Sequence, residues 1–107
     1  MDRFKGTRGP WETEADAINS IAIISSELEV CSVTANNEDD LLTELEWANA
    51  RLVASAPDLL EALELLVHYY MCEQEGIGSG QPSGAEWYAA VDKASAAINK
   101  ALGEDQP

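Results

Sequence analysis

The chain has 107 residues, 46% of them hydrophobic and 24% charged, a globular composition with room for one small core. Six basic against twenty acidic residues leave a net charge of −14, which opposes general binding to a phosphate backbone. No run reaches the ~18 apolar residues of a membrane span. The opening Met1-Asp2-Arg3-Phe4-Lys5 lacks the apolar stretch of a secretion signal, so a cytosolic setting is expected.

Residues 1–10 carry Arg3, Lys5 and Arg8, while Gly6, Gly9 and Pro10 keep them out of a helix. They are expected to form a flexible basic arm that leads into Trp11. Residues 11–36 read as strands. Trp11-Glu12-Thr13-Glu14 alternates weakly, Ile18–Ile24 is β-branched, and Leu28–Val33 follows a small polar turn at Ser25-Ser26-Glu27. In the last run Leu28, Val30 and Ser32 should share one face, with Glu29, Cys31 and Val33 on the other. A 3.6-residue period through Ala15, Ile18 and Ala22 also fits a helix over 14–28, but the composition favours strands.

Residues 39–75 read as helix, with Asn37, Asp39 or Asp40 as the cap and an acidic start that suits the positive end of the helix dipole. Leu41, Leu45, Ala48 and Leu52 recur at helical spacing and predict the buried stripe. Pro57 interrupts the helix, which kinks or restarts there with Ser55 as N-cap and Asp58 three residues on. Beyond it Leu59, Leu63, Leu66 or Val67, and Tyr70 form the expected buried side. The stretch GIGSGQPSG at 76–84 is a connector; it matches neither phosphate-loop pattern. A final helix over 84–102 should open on a Ser83/Glu86 capping box and bury Trp87, Val91, Ala94, Ile98 and Leu102, with Gly103 as its C′ residue. The expected architecture is α+β. An N-terminal β-hairpin or small antiparallel sheet precedes a proline-interrupted helix and a C-terminal helix, in one domain over 11–103 with a frayed tail at 104–107.

Catalytic signatures are missing. The one histidine, His68, sits in an apolar helical run, and neither cysteine has a base beside it in sequence. Glu64, His68 and Cys72 line one helical face but offer too few good ligands for a structural metal site, so neither metal nor cofactor is expected. Cys31 and Cys72 are expected to be reduced, half-buried thiols. Binding is better supported. Trp47 and Arg51 lie one turn apart, where a guanidinium can cover an indole. Arg51 is the only basic residue between positions 9 and 92; it pairs with Glu44, Glu46 or Asp58, or serves a ligand anion. Asn49 flanks the stripe, where a bond to a strand edge competes with a ligand role. Trp11 either closes the core or, with Arg3, Lys5 and Arg8, tips an arm that grips an anion or a base. Arg8, Trp11, Trp47, Asn49 and Arg51 are the candidate ligand contacts. Separately, Glu38, Asp39, Asp40, Glu44 and Glu46 form a dense acidic start that is either a solvated face or an imitation of a row of phosphates.

Thr7-Arg8-Gly9-Pro10-Trp11 and Ala48-Asn49-Ala50-Arg51-Leu52-Val53-Ala54-Ser55-Ala56-Pro57-Asp58-Leu59-Leu60-Glu61-Ala62-Leu63 resemble two motifs of a widespread family of small phage and prophage proteins. The family's first motif has proline where Arg8 stands, and the second has alanine where Ser55 stands. The resemblance implies a strand-rich N-terminal half before the helices and a phage accessory role in the host bacterial cytoplasm. Small accessory proteins without catalytic signatures look like antagonists of bacterial defence. Two mechanisms compete: an oligomeric sponge for a nucleotide immune signal, and an acidic inhibitor covering the basic groove of a host defence protein. A structural or regulatory phage protein is the third reading. Wide apolar stripes in so short a chain predict a dimer or higher homo-oligomer.

Overall fold

Three strands open the structure, a computed structural model that describes residues 4–26, 28–75 and 84–104. β1 (Glu12–Ala17), β2 (Ser20–Ser25) and β3 (Leu28–Thr34) form one sheet in the order β1-β2-β3, with both neighbouring pairs antiparallel. The β-branched run of β2 takes the centre, where a stiff side chain packs well on a pleated surface. Ala17 pairs with Ser20 and Ser25 with Leu28, so each hairpin turns on two residues. At the second turn Ser26 takes the left-handed φ of 49°. The helical alternative for 14–28 is thereby overturned: cross-strand pairing claims Ile21 and Ile23 for one face of the sheet.

The expected alternation along β3 also fails at one point. Ile23 pairs with Cys31 but Ile24 with Glu29, so Val30 is the additional residue of a β-bulge and the phase slips there. Leu28 then stands opposite Ser25, exposed. Cys31 is a free thiol and is exposed rather than half-buried.

α1 (Glu44–Ala54), α2 (Ala56–Glu75) and α3 (Gly84–Leu102) complete an α+β fold. α1 lies on the sheet, with Ile21 and Ile23 packed against Ala50 and Ala54, and Trp11, Val33, Leu42, Trp47 and Val53 closing the edges. α3 packs on both α1 and α2. It runs antiparallel to α2, as Lys100 meets Asp58, Lys93 meets Glu61 and the Trp87 ring meets Tyr69 edge-on at 5.8 Å.

The phase of α1 differs from the expected one, and in α2 and α3 only Leu59, Leu66, Trp87 and Ala94 of the expected stripes turn inward, half-buried. Leu45, Leu52, Leu63, Val67, Tyr70, Val91, Ile98 and Leu102 are all 48% exposed or more, and Leu41 lies exposed before α1 begins. The buried helical positions are instead Glu46, Ala50, Ala54, Ala62, Ala90 and Ala97. Small side chains allow helices to approach closely, toward the short end of the usual 8–10 Å spacing. The larger neighbours of these alanines therefore face outward.

The start of α1 is corrected too. Asp40 has a φ of 55°, and Asn37 donates through Nδ2 to the Leu41 carbonyl at 2.8 Å, so the acidic run is a turn. The N-cap is Thr43, whose hydroxyl accepts from the Leu45 amide. Glu46 reaches back to accept from the Thr43 amide at 2.6 Å and from its hydroxyl at 2.5 Å, a capping box. Thr43's hydroxyl and amide hold the Glu46 carboxyl below its ordinary pKa.

Ser55 is the C-cap of α1 as well as the residue before α2, and its hydroxyl donates back to the Arg51 carbonyl at 2.8 Å rather than capping α2. Its own carbonyl accepts the Leu59 amide at 2.9 Å and starts α2. Pro57 thus sits in the first turn of a new helix, where its missing N–H costs nothing. At the far end Gly103, with φ 77°, donates to the Lys100 carbonyl and Glu104 to that of Asn99, the paired bonds of a Schellman cap. The expected Ser83 half of a capping box, the glycine-rich connector, the first three residues and the last three lie outside the described residues. No helix among the described residues is long and apolar enough to cross a membrane.

Thr43→Ala should cost about 1 kcal/mol of unfolding free energy, the usual value of a lost N-cap, read from urea denaturation at neutral pH. The Glu46 carboxyl has a lowered folded pKa, so its contribution is complete above the ordinary glutamate value of about 4.3 and is lost as pH falls through the folded value. The wild type should therefore lose stability below about pH 4 more steeply than Glu46→Gln, because the amide cannot titrate.

Candidate functional site

The segment before the sheet is tied to the helices at several points. Ser25 donates its hydroxyl to the Arg8 carbonyl at 2.6 Å, and Lys100 reaches from α3 to the Trp11 carbonyl at 2.9 Å. Gly9 passes so close to Pro57 that an added Cβ would stand 2.8 Å from the proline ring. Trp11 donates its indole N–H to the Thr7 carbonyl at 3.2 Å, and its ring packs against the core. Trp11 and Trp47 thus both have places at the edge of the Ile21/Ile23 cluster.

The five candidate contacts do not converge. Arg8 lines a hollow of about 380 Å3 with Phe4, Pro57, Leu60 and Glu61. Asn49 is exposed on α1. Arg51 lines a different cleft, between α1, the end of α3 and the start of β1. This cleft has a volume of about 530 Å3 and brings Arg51 together with Thr13, Asn99 and Lys100, while Glu12 and Glu104 stand on its walls.

The backbone explains why Arg51 is there. It occupies the last turn of α1, where a cation is favoured by the carbonyl end of the helix. The Schellman turn of α3 brings Gly103 against its side chain, so close that a Cβ would stand 2.5 Å from Nε. That Nε is shielded from solvent yet has no hydrogen-bond acceptor among the described residues. The Nη2 end is 3.8 Å from Glu44, whose side chain is 89% exposed, a weak pair in high dielectric. Of the carboxylates expected to pair with Arg51, Asp58 instead takes Lys100 at 2.7 Å, and Glu46 serves the Thr43 cap.

Thr13, Asn99 and Lys100 had no local signal in the sequence, for each comes to Arg51 from a distant element. His68 and Glu64 line a separate surface hollow with Leu63, Val67 and Met71. No cluster of three or more metal-ligating side chains occurs among the described residues.

A protein-family model described as Salmonella phage P22 protein Y8K6 matches residues 1–105. No curated protein and no solved structure matches the chain.

Gly103→Ala should lower stability by ~1–2 kcal/mol, the cost of a left-handed conformation for a residue with a Cβ, and should push the Arg51 side chain aside. Chemical denaturation reads the first effect. The second shows as a changed environment at Arg51 Nε in NMR spectra, and an unmoved Nε resonance would mean that the two groups are not in contact.

Proposed function

The chain belongs to the Salmonella phage P22 protein Y8K6 family, and from that membership we propose that it is a non-enzymatic phage accessory protein that antagonises anti-phage defence by sequestering a nucleotide immune signal in the Arg51 cleft. The observation that carries this reading is the Arg51 Nε, shielded from water and without an acceptor among the described residues. A charged donor so placed costs free energy until an anion meets it. A phosphate oxygen is such an anion, and the guanidinium fork suits it.

The rest of the cleft supports a nucleotide over inorganic phosphate. Lys100 and the Asn99 and Thr13 side chains add donors beside Arg51, while Glu12 and Glu104 offer acceptors for the amino and ring N–H groups of a base. The volume falls within the ~300–1,000 Å3 typical of small-molecule sites. A chain of charge −14 repels extended polyanions, which favours a compact ligand held by local contacts.

Isothermal titration against a panel of cyclic and linear nucleotides tests the reading. Heat is expected from at least one of them, with affinity weakened about 10- to 100-fold in Arg51→Ala, the range for one charge-assisted hydrogen bond. A silent panel, or binding indifferent to Arg51, overturns it.

A second reading has its own support in the acidic surface. Glu14 stands exposed on the outward face of the edge strand β1, and Glu38, Asp39 and Asp40 are exposed before α1. Such a surface suits the basic groove of a host defence protein that binds nucleic acid. In that case the panel stays silent, and a nucleic-acid-binding defence protein is retained at low salt and released at high salt.

A further inference from the structure

We propose that the outward face of the α2/α3 pair receives a second copy of this chain, the two helix pairs closing into a four-helix bundle. The inference stands on the packing alone and does not depend on the nucleotide reading.

Each of the two helices carries two apolar seams, offset by one residue. The inner seam of α2 is Leu59, Ala62, Leu66 and Tyr69; that of α3 is Trp87, Ala90, Ala94, Ala97 and Ala101. All of these are buried or half-buried. The outer seam is Leu60, Leu63, Val67 and Tyr70 on α2, and Tyr88, Val91, Ser95, Ile98 and Leu102 on α3, all exposed. Both seams step alternately by three and four, the heptad spacing of helices that pack side by side at a shallow angle. Antiparallel helices that meet along the inner seams turn their outer seams to the same side. The ion pairs Lys93–Glu61 and Lys100–Asp58 fall on the other side by the same helical geometry, toward Trp11. A helix with apolar seams this wide is one whose second neighbour completes a bundle.

Three observations say that the neighbour is a copy of this chain. First, none of the nine outer-seam residues is charged, although about a quarter of the chain's residues are, and Glu64 and His68 only border the seam beside Leu63 and Val67. Two molecules of charge −14 repel one another, and they come together at least cost where neither presents a carboxylate. A basic partner would be drawn to the acidic surfaces instead.

Second, eight of the fourteen large apolar side chains exposed among the described residues lie on these two seams, a contiguous patch of the kind that monomeric proteins keep covered. Third, both helices offer the same heptad spacing, so a two-fold axis across the face sets like seams against like, the isologous geometry that closes on itself.

Sedimentation velocity of the full chain without nucleotide, over a wide range of concentration, tests the proposal. The expected mass is twice the 11.6 kDa of the chain, falling to that of one chain when Leu63→Glu and Ile98→Glu are combined with helicity retained. A wild-type mass of one chain at every concentration overturns it, as does any other multiple, or a dimer indifferent to the two substitutions. Should the glutamates unfold the protein, hydroxyl-radical labelling of the wild type decides. Tyr70 and Tyr88 should be protected in concentrated solution and labelled on dilution; equal labelling at both concentrations overturns the proposal.

Discussion

Alanine at the contacts between elements is the constraint on which the rest of the structure depends. Ala50 and Ala54 meet Ile21 and Ile23 between α1 and the sheet, and Ala62, Ala90 and Ala97 are buried between α2 and α3. A methyl group lets two backbones come close and buries little apolar area, each CH2 or CH3 group being worth only ~0.8 kcal/mol on leaving water. The interior is thus closely spaced but thin, and Ile21 and Ile23 are the only large apolar side chains fully buried among the described residues. Polar devices supplement it. The Thr43/Glu46 box, the Ser55 hydroxyl on Arg51 and the Schellman turn at Gly103 each satisfy a helix end that would otherwise be left without partners.

The same close approach builds the cleft. Gly103 can press against Arg51 because it has no side chain and tolerates a φ of 77°. That contact closes one flank of the guanidinium and leaves Nε dry. Lys100, three residues earlier, reaches past Asp58 to the Trp11 carbonyl and so fixes the end of α3 against the beginning of the sheet. The cleft's walls are therefore the ends of elements held by caps and single ion pairs, and its floor is the alanine contact of α1.

Element order was legible in the sequence, because strands and helices differ in β-branched content and because proline and glycine mark boundaries by backbone chemistry. Pro57 and Gly103 stand where their φ preferences place them. Helix phase was not legible, for a definite reason. Leu45 and Leu52, Leu63 and Val67, Val91 and Ile98 dominate any count of apolar residues around a helix, whereas alanine reads as neutral. Packing chose the alanines, and of the expected stripes only Leu59, Leu66, Trp87 and Ala94 turn inward. The Thr43-x-x-Glu46 pattern was present in the sequence, but the denser acidic run before it offered more apparent caps. Arg51 could be singled out as an isolated cation. Its neighbours in the cleft could not, since Thr13 and Asn99 come from opposite ends of the chain.

Scarcity of positive charge explains why Arg51 stands apart. Of the three basic residues on the helices, Lys93 is held by Glu61, and Lys100 by Asp58 and a backbone carbonyl. Both bind α2 to α3 on the side opposite the outer seams, so that side is held by charge and the other is left apolar. Arg51 has only a distant, exposed carboxylate at one end and a dry, unmatched nitrogen in the middle. In a chain with more than three acidic residues for each basic one, the close approach of Gly103 to Arg51 keeps water from that nitrogen without supplying an acceptor for it.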